Sequence, residues 1–145
     1  MTRTAADSSV LVAALASWHE SHAEAVRMLE GAMAKGSTLV IPADALTETY
    51  AVLTRLPAPH RIAPSVALEL LQKSFHRIGV TALEPAETWD FLETCAASQV
   101  AGGAVYDARI ATAAVKGRAT RILTLKARHF ERLAPPGLEV VAPSR

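Results

Sequence analysis

Three carboxylates, Asp7, Glu48 and Asp107, carry the chemistry that this sequence offers. Asp7 closes a short first strand, and Glu48 lies in the helix after a second strand. Asp107 falls in the first turn of a helix that precedes a late strand. In an α/β domain with a largely parallel sheet, those three places can meet at one edge, beyond the carboxyl ends of the strands. Clustered carboxylates repel one another unless a cation lies between them, and oxygen-only donors suit the hard ions Mg²⁺ or Mn²⁺. A divalent ion so held can orient water, lower its pKa and neutralise charge building on a phosphodiester. That is the chemistry of a metal-dependent nuclease. Each acid also has a plainer local role: Asp7 suits a helix N-cap, Asp107 complements a helix dipole, and Glu48 can be solvated.

The elements that must position these acids are legible in outline. Residues 3–7 read as a short strand ending in Asp7, and Val10, Leu11, Val12 and Leu15 begin a helix that Asp7 or Ser8 caps. A second helix is expected over residues 21–35, with Ala25, Met28, Leu29 and Ala32 buried and Gly36 closing it. His19 and His22 stand three apart near its start, but no downstream partner has metal-ligand spacing, and they read as surface residues. Thr38 to Ile41 is a strand, and Pro42 sets up a helix over residues 43–55 whose stripe is Leu46, Tyr50 and Leu53. Asp44 and Glu48, four apart, share another face of it. The proline-rich stretch 56–64 reads as a loop or flap inside one domain.

A helix over residues 65–76 should bury Val66, Leu70, Leu71 and Phe75, and residues 80–83 make a short strand. Pro85 fits the first position of the next helix, with Trp89, Leu92 and Ala96 expected inward. Gly102 and Gly103 break the chain before a helix with Val105, Ala108, Ile110, Ala111 and Ala114 on its apolar side. Gly117 stops it. A strand at 120–124, a short helix at 127–133 burying Phe130 and Leu133, and a last strand at 138–141 complete the chain. This alternation predicts a single α/β three-layer domain over residues 1–145, with a short, mostly parallel sheet flanked by helices.

Composition narrows the setting. Half of the 145 residues are hydrophobic and one fifth are charged, which is ordinary for a globular protein able to build its own core. The single cysteine, Cys95, excludes an internal disulfide framework and a multi-cysteine zinc site, and reads as a small core residue. The longest apolar run, Val10 to Ala16, is too short to span a bilayer, and no secretory signal is visible, so a cytoplasmic protein is expected. Net charge is +1, unevenly spread: residues 1–108 hold seven Lys/Arg against twelve Asp/Glu, and residues 109–145 hold eight against two. An acidic body with a basic C-terminal third can draw a phosphate backbone towards a cation site, or simply present solvated charge.

Four segments in order resemble the PIN-domain proteins, above all the VapC-type toxins. They are Asp7-Ser8-Ser9-Val10-Leu11-Val12-Ala13-Ala14-Leu15, then Ile41-Pro42 with Leu46-Thr47-Glu48-Thr49-Tyr50-Ala51-Val52-Leu53. The third is Tyr106-Asp107-Ala108-Arg109-Ile110-Ala111-Thr112-Ala113-Ala114, and the fourth Ile122-Leu123-Thr124-Leu125-Lys126-Ala127-Arg128-His129-Phe130. The resemblance implies a PIN fold and an endoribonuclease that cuts single-stranded or looped RNA with Mg²⁺ or Mn²⁺. It also implies a homodimer and a small cognate antitoxin, VapB-like, that covers the site. On that resemblance Asp7, Glu48 and Asp107 are the metal-binding, catalytic acids. Ser8 or Ser9 would orient a ligand, and Thr124 would hydrogen-bond Asp7 or a metal-bound water.

One residue departs from the pattern: Lys126 stands where many relatives have a fourth acid or Asn. An ammonium cannot ligate a metal. Either the three acids hold one metal with Lys126 on the scissile phosphate, or Lys126 points away and Asp44 assists. Arg109, Lys126, Arg128 and His129 adjoin the third and fourth segments and are the candidate RNA-phosphate contacts. Trp18 and Tyr106 read as core or dimer residues before base-stacking ones. The competing function is a catalytically impaired PIN-like module that binds RNA or protein. A phosphoacceptor switch fits less well, because it needs paired early acids and Asp7 stands alone.

Overall fold

The first strand is the centre of the molecule. The structure, a computed structural model, describes residues 2–143. β1 (Thr2–Ala6) is flanked by two parallel neighbours, β2 (Ser37–Pro42) and β4 (Arg121–Leu123). β3 (Gly79–Thr81) pairs with β2 and β5 (Glu139–Val141) with β4, giving a five-stranded, all-parallel order β3-β2-β1-β4-β5. Parallel neighbours need crossovers, and helices supply most of them. Between β1 and β2 run α1 (Ser8–Leu15) and α2 (His22–Ala32), and between β2 and β3 run α3 (Ala43–Arg55) and α4 (Pro64–Phe75). A 3₁₀ turn (Pro85–Glu87), α5 (Thr88–Ala97) and α6 (Ala104–Lys116) link β3 to β4, and α7 (Ala127–Leu133) links β4 to β5.

Both faces of the central strands are covered towards their carboxyl ends, which is why β1, β2 and β4 finish in consecutive buried residues and not in alternations. Ala5, Ala6, Val40, Ile41, Ile122 and Leu123 are all buried in the main core, with Leu11, Ile110 and Phe130 packed from the helices. Each of these large side chains contributes about 1.5–3 kcal/mol by leaving water. Alanine on the helices lets them lie close to the sheet. At the end of α6 the approach is closer still: a Cβ on Gly117 would stand 3.0 Å from Thr81 Cγ2 and 3.2 Å from Val40 Cγ2. No helix among the described residues is long and apolar enough to cross a membrane.

Several elements differ from the sequence reading. On α5 the inward residues are Phe91 and Cys95, packed on Ala108 of α6, while Trp89 is 74% exposed and Leu92 and Ala96 also face outward. That helix carries apolar side chains on both faces, and α6 selects the smaller pair. Pro85 opens the 3₁₀ turn ahead of α5 and not α5 itself. On α4 Ala67 is buried and Val66 exposed, since the face is set by Leu71 and Phe75. On α3 Ala45, Thr49 and Leu53 are buried and Tyr50 lies outside, with Leu46 partly buried. α2 stops at Ala32, three residues short. Trp18 and Tyr106 are exposed, not core. Trp18 stacks on His60 of the proline-rich loop, centroids 4.1 Å apart. His19 and His22 are half-buried and held locally: His19 Nδ1 accepts from the Ser21 N–H, and His22 Nδ1 meets the Ala13 carbonyl. Arg145, part of the basic third, lies outside the described residues.

Candidate active site

Asp7 follows β1 directly and its side chain caps α1, accepting from the Val10 N–H at 3.2 Å. Its backbone N–H continues the sheet by donating to the Leu123 carbonyl of β4. The carboxylate is 1% exposed. Each of its oxygens also receives a hydroxyl: Ser9 Oγ donates to Oδ1 at 2.6 Å, and Thr124 Oγ1 donates to Oδ2 at 2.6 Å. The same hydroxyls accept from the backbone beyond β4, Ser9 from the Leu125 N–H at 2.9 Å and Thr124 from the Lys126 N–H at 2.8 Å. Two hydroxyls thus tie the first segment to the fourth. Burial raises the Asp7 pKa above its ordinary value, because the charged form is desolvated. The bonds from Ser9, Thr124 and Val10, and the nearby Lys126 charge, pull the other way without cancelling it.

Asp107 lies in the first turn of α6, as its position after the glycine break requires, and is 9% exposed. Gly102, at φ +62°, makes the left-handed bend that starts this helix, a conformation most side chains resist. Its two oxygens face two bases: Lys126 Nζ is 3.5 Å from Oδ1 and His129 Nδ1 is 3.8 Å from Oδ2. Lys126 therefore points towards the acids, not away. Glu48, on α3, accepts a hydrogen bond from Ser8 of α1 through Oε1. Ser8, Glu48 and Lys126 line a cleft of about 490 Å³ together with His19 and Arg55. Among the described residues no three His, Cys, Asp or Glu side chains gather into a metal-holding group, since each acid turns to an internal partner.

The basic candidates divide. Arg109 is not a free cation: its Nε pairs with Asp44 Oδ2 at 2.8 Å, in a shallow cleft shared with Glu48 and Tyr106. That pair also occupies Asp44, the acid that sequence reading held in reserve. Lys126, Arg128 and His129 line an adjoining cleft of about 610 Å³, and Lys126 belongs to both it and the Glu48 cleft. The cleft residues that sequence reading missed are Arg55 and His19. Arg55 had a signal, because it follows Glu48 by seven residues and so lies on the same helical face. The Ser8–Glu48 bond had none, as its partners are 40 residues apart.

Residues 5–135 match the PIN domain family. Ribonuclease VapC40 of Mycobacterium tuberculosis is 42% identical over 127 residues, covering 88% of this chain and 89% of that protein. Ribonuclease VapC27 of the same organism is 36% identical over 138 residues, 94% of each. Among solved structures, VapBC2 of Rickettsia felis, bound to a DNA fragment from its promoter, superposes with a TM-score of 0.68 at 16% identity. It covers 99% of this chain and 100% of that one. Mycobacterium tuberculosis VapC20, a toxin that cleaves the sarcin-ricin loop, gives 0.62 at 16% identity over 82% and 86%. These likenesses at low identity speak to the fold, and the closer sequences to the family. The chain belongs to the PIN-domain family and, within it, to the VapC-type ribonucleases.

Proposed function

We propose that this protein is an endoribonuclease toxin that hydrolyses RNA phosphodiester bonds with Mg²⁺ or Mn²⁺ and is restrained by a small VapB-like antitoxin. One observation carries the reading. The buried Asp7 is joined through Thr124 to the β4–α7 turn, and that turn presents Lys126 to Asp107, so the first, third and fourth segments meet at one sheet edge.

PIN-domain ribonucleases depend in general on a divalent metal, and the three acids are oxygen donors of the type such an ion takes, though as they stand no three of them gather round one point. All the acids offer oxygen, and Asp7 is a carboxylate whose burial its own hydrogen bonds do not fully offset. Asp7, Asp107 and Glu48 are the residues that would hold the ion. Bound there, it supplies an activated water and charge neutralisation at the phosphodiester. The chain does the rest. Ser9 and Thr124 lock the Asp7 carboxylate in one orientation, and Ser8 steers Glu48. Arg128 and His129, exposed, and the half-buried Lys126 beside the acids hold the RNA backbone as hydrogen-bond donors, the Arg and Lys with their charge. Arg109 positions Asp44 and adds its charge to the same rim. With no base-reading module in view, target choice falls to RNA shape. We place this activity in the cytoplasm, where RNA and antitoxin are met, and assign the protein to a homodimer.

Lys126 also favours a second reading, in which the ammonium disables the site and the domain only binds RNA or a partner. Cleavage of total cellular RNA separates the two. The expected result is a discrete fragment set with Mg²⁺ or Mn²⁺ that is lost with chelator, with Asp7→Asn and with Asp107→Asn. Absence of cleavage by folded, partner-free protein overturns the nuclease reading in favour of the binding module.

A further inference from the structure

We infer that Tyr106 is the platform of a nucleobase subsite: its ring stacks one unpaired base of the RNA, and the Arg109–Asp44 pair bonds the edge of that base. The inference rests on the RNA-cleaving reading above and names the group that seats a nucleotide beside the acids. Three observations support it. The Tyr106 ring is 70% exposed, although its chain neighbour Asp107 is nearly buried. A tyrosine buries about 150–250 Å² when it is covered, so a ring left this open at the edge of a site is a surface to which a flat guest can add. The ring also lines a cleft of about 290 Å³ between α3 and α6, where the short side chains of Thr47 and Ala51 leave room. In the same cleft Arg109 Nε meets Asp44 Oδ2 at 2.8 Å, and both side chains are about two-fifths exposed, so the pair still offers donors and acceptors.

Those groups match the two surfaces of a base. Its face is apolar and stacks on an aromatic ring, while its edge carries N–H donors for a carboxylate and carbonyl or ring-nitrogen acceptors for a guanidinium. Glu48 lines both this cleft and the one that holds Ser8 and Lys126, so the subsite adjoins the acidic edge. A second copy of the chain is the competing occupant. The cores of protein interfaces are depleted of charge, whereas two acids and an arginine surround this ring. Apolar cover would also strip water from the Arg109–Asp44 pair. Stacking tolerates any base but demands that it be unpaired, which is a way to choose RNA by shape.

The test is binding of the full chain to a mixed-sequence single-stranded RNA in Mg²⁺, with Asp7→Asn as the parent so that cleavage does not intervene. Fluorescence anisotropy gives the affinity, and 2-aminopurine placed at successive positions reports stacking through its quenching. Adding Tyr106→Ala is expected to weaken binding about 5- to 100-fold, the scale of one base–aromatic stack, and to abolish the quenching. The slope of log affinity against log salt should stay the same, because no phosphate contact is lost. Tyr106→Phe should match the parent and Tyr106→Leu should behave as alanine. A fully paired duplex should show no dependence on Tyr106. Unchanged affinity in Tyr106→Ala overturns the inference, as does a leucine variant that matches the parent, since bulk and not a ring would then suffice. A change of oligomeric state in Tyr106→Ala, read by sedimentation, overturns it too and gives the ring to a contact between copies. Wild-type RNA cleavage with no effect of Tyr106 on binding would defeat this inference alone. Tyr106-dependent stacking without cleavage by wild type would defeat the nuclease reading and leave the subsite standing.

Discussion

Asp7 and Asp107 are both nearly buried carboxylates of one acidic edge, yet they are held in opposite ways. Asp7 is fixed by short, neutral donors: two hydroxyls at 2.6 Å and a backbone N–H at 3.2 Å. Asp107 is faced by a lysine and a histidine at 3.5 and 3.8 Å, beyond good hydrogen-bond length, through side chains that remain partly or largely exposed. Neutral donors set an orientation but leave the negative charge in place. The Lys126 ammonium offsets the charge but leaves the geometry loose. On the proposed function, Asp7 would be the acid of fixed orientation and Asp107 the one whose surroundings can rearrange.

The largest effect that tests this contrast is at Asp7. Asp7→Asn should abolish RNA cleavage while preserving the fold, because Asn is as good an N-cap as Asp. It should also stabilise the protein without metal. A carboxyl whose folded pKa is raised contributes stability that is full below its unfolded pKa and lost as pH rises through the folded value. The wild type therefore loses stability, relative to Asp7→Asn, as pH climbs above about 4, the unfolded aspartate range. Melting curves from pH 3 to 8 should show the gap closing in acid. Saturating Mn²⁺ should narrow or reverse it at pH 7. A variant less stable than wild type throughout would mean that the hydroxyl clamp compensates for burial completely.

Thr124→Val is the next step down. It removes the donor to Asp7 Oδ2 and the acceptor of the Lys126 N–H together, keeping the shape. A loss of about 10–100-fold in cleavage is expected, the usual effect of removing a group that orients a ligand. Stability should fall by about 1–3 kcal/mol, since buried polar groups lose partners. Denaturant titration and initial rates measure the two. Equal rates would show that Ser9 and the Val10 N–H suffice to orient Asp7 without Thr124.

The smallest effect is at the rim. The Arg109–Asp44 pair is about two-fifths exposed, so Asp44→Asn should cost no more than about 1 kcal/mol. Arg128→Gln should weaken RNA binding several-fold and lower the slope of log affinity against log salt by about 1, leaving the metal response intact. An unchanged slope in filter-binding assays would take Arg128 out of the RNA path.

The sequence exposed Asp7 and Asp107 through local punctuation: a strand followed by a capping residue, and a glycine break followed by an acid. It exposed the sheet through short apolar runs. It could not reveal the face of α5, because Phe91/Cys95 and Trp89/Leu92/Ala96 both have helical spacing, and only the small surface of α6 around Ala108 chooses between them. Nor could it reveal that Arg109 is spent on Asp44, or that Ser8 holds Glu48. Those pairs join separate elements, and long-range partnership leaves no periodic trace in the chain.

The double hydroxyl tie between Asp7 and residues 124–126 has a consequence for the timing of synthesis. Asp7 and Glu48 leave the ribosome early, but the Thr124 hydroxyl that completes the Asp7 clamp is 117 residues downstream. Until β4 has slotted against β1, the first acid has no second orienting hydroxyl and Asp107 has no lysine beside it. The acidic edge is therefore completed only when the first strand pairs with a segment synthesised more than a hundred residues later.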